Sequence, residues 1–145
     1  MMVVVALVIS CVGVAGALRP KAPKASKRAY FVFRDATETN EFVVQLRSPA
    51  NIRHARALLA GTTTERPHIG GIIARKRAPY NPKWSYHLRP DSIEFFDFAI
   101  EVCDATMVYV EEHLDEVGGA FLPGSRWCPW SSVLVRELPR HGWRE

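Results

Sequence analysis

What this sequence has little of narrows it before what it contains. Of 145 residues three are cysteine, and Cys11 sits in an apolar leader, so a processed chain keeps only Cys103 and Cys128. Neither has a second Cys or His at metal-ligand spacing, which argues against a zinc site. No Gly-x-Ser-x-Gly occurs, so there is no nucleophile elbow. Gly70-Gly71 lacks the spacing of a phosphate loop, and no helix start follows it. No stretch sets oxygen donors at alternate positions ahead of a glycine and a distal glutamate, as a calcium loop requires. No asparagine begins a glycosylation sequon and no internal repeat is visible. The reading carries no metal and no cofactor.

Lys and Arg are missing altogether from Pro90 to Ser125, where there are nine acids, while Arg47 to Arg89 holds nine basic residues and one acid, Glu65. Such blocks read as two solvated faces or as elements paired across the fold; the rival reading is an acidic surface for a cation or a basic partner. The formal net charge of +4 overstates how basic the fold is. Arg19, Lys21, Lys24, Lys27 and Arg28 lie in a Pro/Ala/Ser-rich segment, which leaves fourteen basic residues against fifteen acids from Ala29 onward. That balance argues against nucleic acid as a partner, because such binding rests on neutralising phosphates.

Residues 1–17 form an uncharged apolar block ending in Ala15-Gly16-Ala17, the small-x-small pattern of a signal-peptidase site, and the block is short for a membrane span. The expectation is cleavage and secretion of a monomer without membrane attachment. Its alternative is lipid anchorage through Cys11, in Val8-Ile9-Ser10-Cys11. Residues 18–28 read as a disordered basic linker, 29–138 as a single domain and 139–145 as a tail. In an exported chain the pair Cys103 and Cys128 reads as a disulfide, against the alternative of two buried thiols.

Within the domain, Tyr30 to Phe33 and Glu41 to Leu46 are β-rich runs around a polar turn and predict a hairpin. Ser48-Pro49 predicts a capped helix start, Ile52, Ala55, Leu58 and Leu59 its buried face, and Gly61 its stop. His68 to Ala74 is expected to be extended, with Gly70-Gly71 marking a bulge or a close approach by another element. Trp84 to Leu88 alternates, setting Trp84, Tyr86 and Leu88 on one face and Ser85 and His87 on the other. Ile93 to Asp104 is the densest apolar run outside the leader. It predicts a core strand with Phe96, Phe98, Ile100 and Val102 on one face and Asp97, Glu101 and Cys103 on the other; a helix opened by an Asp91/Glu94 capping box is the competing reading. Thr106 caps a second helix, its stripe Tyr109, Val110, His113, Leu114 and Val117, ended by Gly118-Gly119. Val133 to Leu138 is the last strand. The order predicts an α+β domain, a mostly antiparallel sheet of five to six strands with two helices packed on it and one disulfide.

Two clusters offer function. Trp84, Tyr86, Trp127 and Trp130, flanked by prolines and by Arg126, make the kind of amphipathic aromatic group found at binding surfaces, although core packing against the disulfide explains it as well. His87 would face Asp97 or Glu101 on a neighbouring strand, and a His-carboxylate pair is the minimum for an exported hydrolase.

Several segments also resemble a known family: Pro79-Tyr80-Asn81-Pro82-x-Trp84-Ser85-x-His87-Leu88, Ala99-Ile100-Glu101-Val102-Cys103-Asp104, His113-Leu114-Asp115-Glu116-Val117-Gly118-Gly119-Ala120-Phe121-Leu122-Pro123-Gly124 and Arg126-Trp127-Cys128-Pro129-Trp130. They are similar to the N-terminal domain of the family named after a cAMP-inducible prespore protein of slime moulds. The resemblance implies export and one domain, and it carries over no catalytic residue. Some relatives bear a calmodulin-binding label, but the one candidate target helix, Pro49 to Ala60, has only two arginines. The leading expectation is a non-catalytic binding module for a protein or cell-surface ligand, acting through Trp84, Trp127 and Trp130. The alternatives are a secreted protease inhibitor, inserting either Ala78 to Lys83 or the Pro123-Gly124 loop, and the His87 hydrolase.

Overall fold

The computed structural model describes residues 28–35 and 40–139. The leader, Cys11, the linker up to residue 27, the hairpin turn at 36–39 and the tail from 140 lie outside the described residues, and with them the expectations made for those segments.

Five of the six residues of β1 (Ala29–Arg34) are buried, because the strand is central and covered on both faces. Its antiparallel partner β2 (Phe42–Leu46) completes the expected hairpin. Alternation then divides β1: Phe31 and Phe33 point into the main core, while Tyr30 packs on the other side with Ala78 and Tyr80. Helix α1 (Pro49–Leu59) begins and ends as its sequence dictates. Ser48 Oγ accepts the Asn51 N–H, Pro49 occupies the first turn, and Gly61 takes a left-handed φ of +68° just past the end.

Strand β3 (His68–Ala74) is the hub of a second sheet. It pairs antiparallel with β4 (His87–Leu88), β5 (Glu94–Phe96) and, after α2 (Met107–Glu112), β6 (Val117–Gly118) and β7 (Phe121–Pro123), with β8 (Arg126–Trp127). The glycine pair in β3 marks the close approach its sequence suggested: a Cβ on Gly70 would lie 2.9 Å from the Trp127 carbonyl oxygen. β6 and β7 form a small parallel pair, and β9 (Val133–Leu138) returns to the free edge of β1. The molecule is thus α+β, with two helices and mostly antiparallel pairing. The strands divide between one sheet ordered β2-β1-β9 and another built around β3, with an aromatic core between them. Cys103 and Cys128 are disulfide-bonded, their Cα atoms 5.2 Å apart.

Three local expectations need correction. The run from Ile93 to Asp104 is a strand only over Glu94–Phe96. Beyond it Phe98 is 94%, Ile100 68% and Val102 52% exposed, and Glu101–Cys103 is a 3-10 turn. Two anchors draw the segment off the sheet: Asp97 accepts the Arg66 N–H at 2.7 Å, and Cys103 is tied to Cys128. The stretch Trp84 to Leu88 contributes only His87–Leu88 to the sheet, and Trp84, Tyr86 and His87 are all buried rather than alternating. Asn81 folds the preceding loop onto it, donating to the Tyr86 carbonyl. Helix α2 stops at Glu112, because Val117 is buried in the core as part of β6 and Gly118 turns there with φ of +94°. Tyr109 and His113, assigned to the apolar stripe, stack on each other outside it, with ring centroids 4.0 Å apart.

Candidate binding cleft

The aromatic residues singled out in the sequence are brought together, but in the core. Trp127 and Tyr86 are fully buried and Trp84 nearly so. Phe42 sits among them, 5.1 Å from Tyr86 and 5.2 Å from Trp127 between ring centroids. Each polar tip is satisfied internally: the Trp84 indole N–H donates to the Glu41 carbonyl, that of Trp127 to the Ala105 carbonyl, and the Tyr86 hydroxyl to the Met107 carbonyl. Such a cluster stabilises a fold and offers no surface to a ligand. Trp130 alone of the group is exposed, its backbone N–H donating to Asp104. Arg126 forms an ion pair with Glu94 across neighbouring strands.

His87 does not meet its expected carboxylates. Its Nδ1 lies 2.7 Å from the Lys76 carbonyl oxygen. A carbonyl only accepts, so Nδ1 carries the proton and Nε2 is left for another partner. Asp97 is occupied by the Arg66 amide, and Glu101 is exposed. Among the described residues, therefore, the pair required by the hydrolase reading is not formed.

His87 instead lines a cleft of about 290 Å³ together with Tyr30, Gln45, Arg47, Lys76, Arg77, Ala78, Pro79, Tyr80 and Pro90. Local rules build its floor. Tyr30 and Gln45 are direct cross-strand partners, so the Gln45 amide reaches the Tyr30 hydroxyl at 2.8 Å, and Arg47 Nε in turn donates to Gln45 Oε1 at 2.8 Å. The proline-rich loop forms one wall because Asn81 is buried and staples it down. Its Oδ1 accepts the Val43 N–H on the edge strand β2 and its Nδ2 donates to the Tyr86 carbonyl, so both faces of the amide are used. Tyr80 thereby lies against Tyr30, with centroids 5.3 Å apart, and edge-on to His87 at 6.1 Å.

The electrostatics of the cleft are one-sided. Arg47, Lys76, Arg77 and His87 line it, and no carboxylate does among the described residues. Asp91 approaches Arg47 only at 3.8 Å and is largely solvated. Burial pushes the Tyr80 hydroxyl up to about 12, Tyr30 adding to the rise and Arg47 opposing it. Tyr80 therefore stays a hydrogen-bond donor across the physiological range. Positive groups converging on a concave, partly apolar wall favour an anion with a hydrophobic body.

Of the cleft residues only His87 was singled out in the sequence. The others were legible as a basic block, Arg47 to Arg89, but nothing in their spacing shows that β2, the end of β3 and β4 converge. No group of His, Cys, Asp or Glu able to hold a metal occurs among the described residues. Nor is any helix among them long and apolar enough to cross a membrane.

A family profile, that of the prespore-protein type of N-terminal domain, matches residues 27–141 and so spans the whole described fold. The chain belongs to that family. It is the family that the Pro79 to Leu88 and Arg126 to Trp130 motifs resemble. In this prespore-type N-terminal domain those two motifs have distinct structural jobs: the first forms the cleft wall and its buried supports, the second carries β8 and one end of the disulfide. No curated protein and no solved structure matches the chain.

Proposed function

We propose that this prespore-type N-terminal domain is an exported, non-catalytic module that binds a small anionic ligand in the tyrosine cleft. One observation carries the reading: Arg47, Lys76, Arg77 and His87 converge on a concavity of about 290 Å³ that no carboxylate lines among the described residues. The size suits a ligand of sugar or amino-acid dimensions bearing a phosphate, sulfate or carboxylate, with Tyr30, Tyr80 and Pro79 against its body. Export rests on the apolar leader with its small-x-small end, and the disulfide is compatible with an oxidising compartment.

The test is calorimetric titration of the processed chain with inorganic phosphate and, separately, sulfate, at constant ionic strength set with chloride. Saturable heat is expected, together with movement of the His87 ring resonances. The variant Lys76→Met/Arg77→Met, altered at two exposed positions, is expected to weaken binding by about tenfold or more, since each charge-assisted hydrogen bond contributes about 1.5–3 kcal/mol. Equal affinity in the variant, or no heat in the parent, would remove the proposal.

A further inference from the structure

The segment from Asp97 to Val102 presents apolar side chains to water instead of burying them. Phe98 is 94% exposed, and Ile100, Val102 and Trp130 are exposed with it. Contiguous exposed apolar groups mark interaction sites more often than chance exposure. The segment is also held at both ends. Asp97 Oδ1 accepts the Arg66 N–H at 2.7 Å at the front; at the back Cys103 is covalently joined to Cys128, whose N–H donates to the Cys103 carbonyl at 2.8 Å. Between these anchors Phe98, Ala99 and Ile100 adopt no regular secondary structure, and Ile100 is extended at φ −75°, ψ 143°.

An extended peptide carrying an outward aromatic side chain, fixed at both ends, matches what the substrate groove of a protease binds. There the backbone adds as a strand and one side chain fills the primary pocket, which in chymotrypsin is a hydrophobic slot. Holding the peptide in its bound shape beforehand removes the ordering cost of binding. We propose that this loop docks into serine proteases of aromatic specificity, with Phe98 entering the primary pocket and the Phe98-Ala99 bond left intact while the anchors hold. The loops first considered for such a role are less suited. Ala78, Tyr80 and Asn81 are packed down, and neither the 78–83 loop nor the 123–124 turn offers an exposed large apolar side chain. The acids Asp97, Glu101 and Asp104 beside the patch are exposed, which disfavours an anionic lipid surface and favours a protein rim of positive charge.

The experiment titrates the processed chain against chymotrypsin, trypsin and elastase, reading hydrolysis of a chromogenic peptide. Chymotrypsin is expected to be inhibited and trypsin spared. Phe98→Ala should weaken inhibition on the order of 100-fold, as for a central interface anchor, and Phe98→Lys should transfer it to trypsin. An unchanged melting temperature verifies that these surface variants fold. Lys76→Met/Arg77→Met should inhibit as the parent does, which separates this proposal from the cleft. The proposal is overturned by unimpeded chymotrypsin, by cutting after Phe98 as fast in the oxidised chain as in the reduced one, or by inhibition indifferent to Phe98→Ala. Phe98-dependent sedimentation with phosphatidylcholine vesicles in the absence of inhibition would equally overturn it, assigning the patch to lipid.

Discussion

Replacing Gly70 by alanine is the sharpest test of how this fold is assembled. The added Cβ would lie 2.9 Å from the Trp127 carbonyl oxygen and 3.2 Å from both Cα and Cβ of Cys128. None of these is the end of a flexible side chain. The Trp127 backbone is paired to Gly71, its indole is bonded to the Ala105 carbonyl, and Cys128 is held by the disulfide and by its own N–H to Cys103. Relief therefore requires strand β8 to move away from β3. Overpacking of this kind costs about 1–3 kcal/mol, and alanine returns about 0.4–1 kcal/mol by restricting the unfolded chain. The net loss is about 1–2 kcal/mol. For a domain of roughly this length that lowers the melting temperature by roughly 4–16 °C. Circular-dichroism melts and urea titrations with unchanged slope provide the measurement. Gly61→Ala is the comparison, since nothing lies within 4 Å of its added Cβ and only the left-handed backbone opposes it. A Gly70→Ala chain within about 0.5 kcal/mol of the parent would refute the close-approach argument, because surface changes alone span that range.

Two further outcomes follow from the pairing on the page. Glu41 accepts from both Arg136 and Arg34, which hold its carboxyl down to about 2 from an ordinary 4.5, Arg136 contributing most. Its contribution is thus complete above about pH 4.5 and lost as pH falls toward 2; with the arginines half solvated it amounts to about 1 kcal/mol. Glu41→Gln should be less stable than the parent at pH 7 by that amount and equal to it near pH 2; urea midpoints across that range decide, and a pH-independent difference would contradict the assignment. For the disulfide, a sequence separation of 25 corresponds to about 3.5 kcal/mol of unfolded-chain entropy. Cys103→Ser/Cys128→Ser should lose about 2–4 kcal/mol and show faster amide exchange at Cys103 and Cys128, whereas a loss below about 1 kcal/mol would show that the loop is ordered without it.

Elements with local causes were legible in advance. Ser48, Pro49 and Gly61 bound α1 through donors and dihedrals that depend on a few adjacent residues. The hairpin and β9 follow from dense runs of β-formers, and the glycine pair announces a close neighbour without naming it. The opening of α2 was readable from Thr106, but its end was not. Val117 is drawn into the core by contacts with residues remote in sequence, and the helical period cannot register them.

Hydrophobicity misled in both directions at the candidate sites. Trp84, Tyr86 and Trp127 carry polar tips that suit a surface, yet each tip finds a backbone carbonyl inside, so the rings are buried. Phe98, Ile100 and Val102 are apolar enough for a core strand, yet the strand leaves the sheet at Asp97 and they face water.

By itself the sequence determined the α+β class, the family, the cysteine pair, the first helix and the outer strands, because these rest on composition, motifs and contacts between near neighbours. Only the tertiary structure decided where Arg47, Lys76, Arg77, Tyr30, Tyr80 and His87 meet, and that the most apolar run after the leader ends as an exposed, anchored loop. Both depend on pairings across the chain: Asn81 to Val43, Asp97 to Arg66, Cys103 to Cys128. A residue's own chemistry says what it can bond to, and the packing of the whole chain selects which partner it gets.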